Sequence, residues 1–270
     1  KKFSFHQVRR LLIPYFAWSI ILYTFYFLLN NLNIISIPED ISLNPIYLFS
    51  DILIYNVRTG NALWFVYILF IIYIVSYLIH SFIDKKATNI FLIIIVLCLG
   101  FSANIYLKDE MFVLKRFLVM WIYYEIGTFI GIYIKDISFK ANKVLSIILL
   151  GLYAFVFILY INSNGIISYS LKIICALLAV FVLYSLSKYN NSWFYRVFNY
   201  IGKRTSIIYY IHNPYIVLIL ITGLTMYTRL NIVISIAITF SVGFIVPLII
   251  GELILTRIKI TKLIFLGEKI

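Results

Sequence analysis

Six places in this 270-residue chain put groups able to do chemistry among residues that are otherwise apolar. His212, Asn213 and Pro214 interrupt the run RTSIIYYIHNPYIVLIL, residues 204–220. An imidazole there reads either as a proton carrier or as a packing residue that meets backbone carbonyls beside a proline kink. Glu125, in YYEIGTFIGIYI, is a lone carboxylate that needs a partner, and Lys172 in SYSLKIICALL is the expected one. Glu125, Lys172 and His212 are therefore the candidate polar cluster. Arg9 and Arg10 precede LLIPYFAWSI. Their forked guanidinium donors match phosphate oxygens, so the pair is a candidate site for a phosphorylated ligand, against the plainer reading of a charged membrane anchor. Trp64, in GNALWFVYILF, has an indole that stacks on a sugar or anchors a helix end. Lys115 and Arg116 suit an acidic glycan or a developing oxyanion, or snorkel to the surface. Glu252, five residues after Pro247, reads as a carboxylate solvated near a helix end.

The elements that must position these groups follow from composition. The chain is 63% hydrophobic and 12% charged, with a mean hydropathy of +1.02. A soluble domain is about a quarter charged. So much apolar surface needs lipid as its solvent, and the fold class expected is an all-α, polytopic transmembrane helix bundle. A span needs about 20 mostly apolar residues. Eight stretches qualify, at 11–31, 62–83, 89–107, 112–135, 143–162, 166–186, 204–223 and 231–255, with nothing between them large enough for a second domain. With both ends in the cytoplasm, the inner segments hold Lys1, Lys2, Arg9, Arg10, Lys85, Lys86, Lys135, Lys140, Lys143, Lys188, Arg196, Lys203, Arg204, Arg257, Lys259, Lys262 and Lys269. These are seventeen of the 23 basic residues, and the bias repeats at every loop.

Because the positive charge is spread over loops rather than gathered in one patch, the net charge of +13 does not point to nucleic acid. Cys98 and Cys175 both fall in apolar runs, which argues against a disulfide framework or a metal site. No zinc-ligand spacing, Gly-rich phosphate loop or GxSxG elbow occurs. In the long outer segment 32–61, Asn44 caps and Pro45 opens an expected short helix over 44–57, lying at the outer interface or as a lid. Gly127 and Gly131, four apart, are expected to let two helices approach closely.

Four stretches, in this order, resemble the membrane-bound acyltransferase 3 family: RRLLIPYFAWSI, LWFVYILFIIYIVSYLI, YYEIGTFIGIYI and IGKRTSIIYYIHNPYIVLI. The resemblance implies an O-acyltransferase. It would carry an acyl group, in the first instance acetyl from cytoplasmic acetyl-CoA, to a hydroxyl of a cell-envelope polysaccharide or lipid-linked sugar. Acyl-CoA is then a co-substrate, with no bound cofactor. The partners implied are the lipid bilayer, acyl-CoA and the envelope glycan. The location implied is the bacterial inner membrane. Carried over by position, Arg10 matches the second arginine of an R-x-x-R motif whose first falls on Gln7, with Arg9 beside it. Together they are the expected donor-binding residues. Trp64 matches the tryptophan of a Leu-Trp-Phe motif, although Asn61 and Ala62 stand where a histidine often precedes it. Trp64, Lys115 and Arg116 form the expected acceptor side.

His212 matches a histidine that is common in the family's penultimate span but is not the one usually assigned to catalysis. The family has about ten spans, and its usual catalytic histidine lies in the first. On this reading residues 1–270 form a single transmembrane domain lacking the first two spans, and no catalytic base is assigned within it. Two other readings compete: a glycan or lipid-linked sugar transporter or flippase, with the polar cluster lining its path, and a family member without catalysis.

Overall fold

A computed structural model describes residues 5–33, 44–46, 52, 63–82, 86–108, 111–134, 143–187, 193–212 and 231–268. Among these residues every regular element is a helix: α1 (Phe5–Asn31), α2 (Trp64–Phe82), α3 (Lys86–Tyr106), α4 (Phe112–Phe129), α5 (Lys143–Ile161), α6 (Gly165–Ser187), α7 (Trp193–Gly202), α8 (Thr205–Ile211), α9 (Ile232–Ile250) and α10 (Lys259–Leu266). α4 and α9 each end in a π-helical turn, Ile130–Ile134 and Gly251–Leu255. The protein is therefore an all-α helix bundle.

Six of these helices, α1, α2, α3, α5, α6 and α9, are long and apolar enough to cross a bilayer. Side chains such as Phe155, Ile167 and Phe240 stay exposed along them, as lipid-facing residues do. The expectation was eight. α4 runs on through its π turn to Ile134, about 34 Å at 1.5 Å per residue, long enough to span, but it carries Lys115, Arg116 and Glu125. The expected span 204–223 is described only as far as His212, and most of the expected 44–57 helix also lies outside the described residues. At the start of that segment Asn44 accepts a hydrogen bond from the Ile46 N–H at 3.0 Å, an N-cap-like bond.

The chain divides into two compact units. One is Ile71–Ile201; the other joins Lys2–Phe70 to Gly202–Ile270. In the first unit, α3 packs on α4, α5 packs on α6, and α3 also meets α6. Gly100 makes the close approach possible. A Cβ there would lie 2.6 Å from the Tyr169 hydroxyl and 3.2 Å from the Leu118 carbonyl. Tyr169 donates to the Val119 carbonyl at 3.4 Å and sets its ring edge-on to Phe101 at 4.8 Å. The approach expected at Gly127 and Gly131 is not there: a Cβ on either meets nothing within 4 Å among the described residues. Spacing alone placed the contact on the wrong glycines.

The second unit has its own core: Tyr15, Trp18 and Leu22 from α1, Ile52, Leu63 and Val66 from the approach and first turn of α2, Ile207, Tyr210 and Ile211 from α8, Leu255, and Leu266 from α10. Pro14 is buried within α1. With no N–H, it leaves the Arg10 carbonyl, four residues back, without its ladder donor. Pro247 does the same to α9, and the π turn follows just after it. There the Thr256 N–H reaches the Gly251 carbonyl at 2.9 Å.

Candidate functional site

In the second unit the arginines stand in the first turns of α1. Arg10 is exposed. Arg9 is half-buried, and its Nε is a buried donor with no hydrogen-bond partner among the described residues. A buried N–H left unmade costs about 1–3 kcal/mol, so an unpartnered guanidinium nitrogen marks a place where an acceptor belongs. About 7.5 Å along the helix from Arg10, Tyr15 buries its ring and donates its hydroxyl to the Ile52 carbonyl at 2.7 Å. Its ring lies 5.5 Å from that of Tyr67. Ser19 caps the group by donating to the Tyr15 carbonyl at 2.7 Å.

Trp64, expected at the outer end of its span, begins a turn whose Tyr67 packs beside Tyr15. Tyr15 is only about 15 Å along an α1 that is about 40 Å long. Of the residues assigned to the acceptor side, Trp64 lies in this unit with Arg9 and Arg10, and Lys115 and Arg116 lie in the other. A buried phenol needs an acceptor, and the Ile52 carbonyl supplies it to Tyr15.

α8 closes the same region. Tyr210 stacks on Trp18, centroids 5.5 Å apart and planes 7° from parallel. Tyr209 meets Phe65 edge-on at 5.9 Å, with the Phe65 and Val66 N–H groups at its hydroxyl. Ile207 packs where Gly251 has no side chain; a Cβ there would lie 2.5 Å from its Cγ2. The Gly251–Leu255 π turn carries Glu252, which pairs with Arg204. The carboxylate read from sequence as merely solvated therefore ties α9 to the start of α8.

His212 ends α8 with its ring over its own backbone. Nδ1 lies 2.8 Å from the Ile208 carbonyl and 3.0 Å from that of Tyr209. Two carbonyl acceptors require the proton on Nδ1, so in the neutral ring Nε2 holds the lone pair. Pro214, beside which the sequence suggested a kink, lies outside the described residues.

The three residues of the polar cluster expected from sequence fall in two units, Glu125 and Lys172 in the first and His212 in the second. Glu125, 2% exposed, belongs to the first unit. Its Oε1 accepts from Ser76 Oγ at 2.6 Å and from Trp121 Nε1 at 2.8 Å, and its Oε2 faces His80 Nε2 at 2.7 Å. Trp121 Nε1 is also 2.8 Å from Ser76 Oγ. The partner found is His80 rather than Lys172, whose charged neighbour is Arg116. The Arg116 guanidinium lies over the Phe112 ring at 5.2 Å, and Lys115 stands beside it at the start of α4. His212 belongs to the other unit.

His80, Ser76 and Trp121 were missed because the search for a counter-charge stopped at lysine. The signal was present, since Ser76 and His80 are four apart on α2, and Trp121 and Glu125 are four apart on α4. Each pair shares a helix face. Among the described residues no group of three or more His, Cys, Asp or Glu side chains has a metal-binding arrangement.

A family model described as an acyltransferase domain, acyltransferase 3, matches residues 1–255. No curated protein and no solved structure matches the chain. The match spans both compact units and takes in α1 to α9 with its π turn, so this multi-pass membrane protein belongs to the acyltransferase 3 family, transferases of acyl groups other than aminoacyl groups.

Proposed function

We propose that this transferase is an O-acyltransferase. It takes an acyl group, in the first instance acetyl, from cytoplasmic acyl-CoA and places it on a hydroxyl of a cell-envelope polysaccharide or lipid-linked sugar. The observation that carries the reading is the Nε of Arg9, buried and without a partner among the described residues, next to the exposed Arg10, in a chain of an acyltransferase family. Coenzyme A carries a diphosphate and a ribose 3′-phosphate, whose oxygens suit such forked donors.

The chemistry asks for three things. An anionic donor must be held, the acceptor hydroxyl must lose its proton as its oxygen attacks the thioester carbonyl, and the thiolate must leave and be protonated. Arg9 and Arg10 serve the first. Nε2 of His212, fixed as the lone-pair nitrogen by the bonds at Nδ1, serves the second. Trp64, half-buried, and the exposed Phe65 at the start of α2, with Tyr209 edge-on to Phe65, suit a sugar ring. The test is donor affinity. With purified full-length chain in detergent or nanodiscs, Arg10→Ala weakens acetyl-CoA binding about tenfold or more, the worth of one charge-assisted contact of about 1.5–3 kcal/mol. Unchanged affinity in Arg10→Ala and in Arg9→Ala removes the arginines from the donor site.

A further inference from the structure

The family match ends at residue 255, yet the next helix is built onto the arginines. α10 (Lys259–Leu266) packs on α1, and Leu266 is buried in the core of the second unit. Trp18 Nε1 donates to the Phe265 carbonyl at 3.1 Å, and the two rings meet edge-on at 5.4 Å. α10 then stops at Gly267, which is left-handed with φ +64°. Its N–H returns to the Leu263 carbonyl at 3.0 Å, and the next N–H, of Glu268, to that of Lys262 at 3.3 Å. The Lys262 ammonium and the Glu268 carboxylate, 2.9 Å apart, close the same turn.

What this glycine touches is the backbone of the donor arginines. A Cβ at position 267 would lie 2.5 Å from Arg10 Cα, 2.9 Å from the Arg9 carbonyl oxygen and 3.0 Å from that of Arg10. Two separate demands exclude a side chain: a left-handed φ and main chain in van der Waals contact with main chain. The contact falls where Pro14 has removed the ladder donor of Arg10, so this turn of α1 lacks part of its own bracing.

We infer that α10 is a brace outside the family-matched region whose Gly267 sets the position of Arg9 and Arg10, so that donor affinity depends on the C-terminal segment. The inference rests on the reading of the arginines as the donor site. Gly267 is a positioning residue. It acts through the α1 backbone, and its effect belongs in binding rather than in turnover.

The experiment uses full-length protein and acetyl-CoA as the probe, with both dissociation constant and steady-state kinetics. Gly267→Ala raises Kd and KM for acetyl-CoA at least tenfold and leaves kcat at saturating donor within about threefold. Trp18→Phe, which keeps an aromatic ring and deletes the bond to the Phe265 carbonyl with part of the packing on α10, raises Kd severalfold in the same direction; it serves if Gly267→Ala fails to fold. Gly151→Ala, where a Cβ meets nothing within 4 Å, changes neither constant. If Arg9→Ala weakens donor binding and both Gly267→Ala and Trp18→Phe leave it unchanged, or lower kcat alone, the brace is overturned and the donor reading stands. Wild-type protein that binds no acetyl-CoA overturns both.

Discussion

Replacing Glu125 by leucine tests whether the buried network of the first unit holds helices together. The carboxylate accepts three hydrogen bonds. Two of them, from Ser76 and His80, cross from α2 to α4, and the third, from Trp121, stays within α4. A bond between helices inside a membrane is worth about 0.6 kcal/mol on average and at most about 1.7. Two such bonds give a loss of about 1–3 kcal/mol. The Trp121 bond adds little to this, because its indole keeps Ser76 Oγ as an acceptor at 2.8 Å.

The double variant Glu125→Leu/His80→Leu should recover part of the loss. An imidazole left facing an apolar side chain is worse than two apolar side chains together. The assay is reversible unfolding in mixed micelles, followed by tryptophan fluorescence, for wild type, both single variants and the double. A coupling free energy of about 0.5 kcal/mol or more between positions 80 and 125 is expected. Additivity within about 0.3 kcal/mol, the range found for independent sites, would refute the reasoning.

Two further outcomes follow from the second unit. His212→Asn places an amide N–H where Nδ1 stands and deletes Nε2, so stability should hold while acyl transfer falls by about 10²-fold or more; full activity would reduce His212 to a helix cap. Gly251→Ala puts a methyl 2.5 Å from Ile207 Cγ2 and should destabilise the protein by about 1–3 kcal/mol, with Ile207→Ala in the same chain restoring part of it, as melting temperatures in detergent would show.

The helical bundle was legible in the sequence because lipid imposes one rule on every span: about 20 apolar residues in a row. Trp64–Phe82 against the expected 62–83, and Lys143–Ile161 against 143–162, show how closely composition sets such elements. Side-chain partners were less legible. Glu125 was marked as needing company, but seeking the nearest opposite charge led to Lys172, whereas a neutral serine, an indole and an imidazole on shared helix faces supply the donors.

Trp64 was legible as the end of a span, and it is the first residue of α2. Contacts far apart in sequence were not: nothing local records that the Tyr15 hydroxyl meets the Ile52 carbonyl. The π turns after Phe129 and Ile250 have no pattern of their own. The Gly127 and Gly131 spacing looked like a close contact, while Gly100, Gly251 and Gly267, in no motif, make the tight ones. A glycine's reason lies in what approaches it, and its sequence neighbours do not carry that information.

The most direct test of the central claim follows one atom group. Full-length protein in native membranes is given acetyl-CoA labelled in the acetyl carbon, and the envelope glycan and lipid-linked sugar fractions are counted after chase. The account predicts base-labile label in one of those fractions, dependent on this protein and lost in Arg9→Ala. Label that never leaves acetyl-CoA, or that appears equally without the protein, would contradict it.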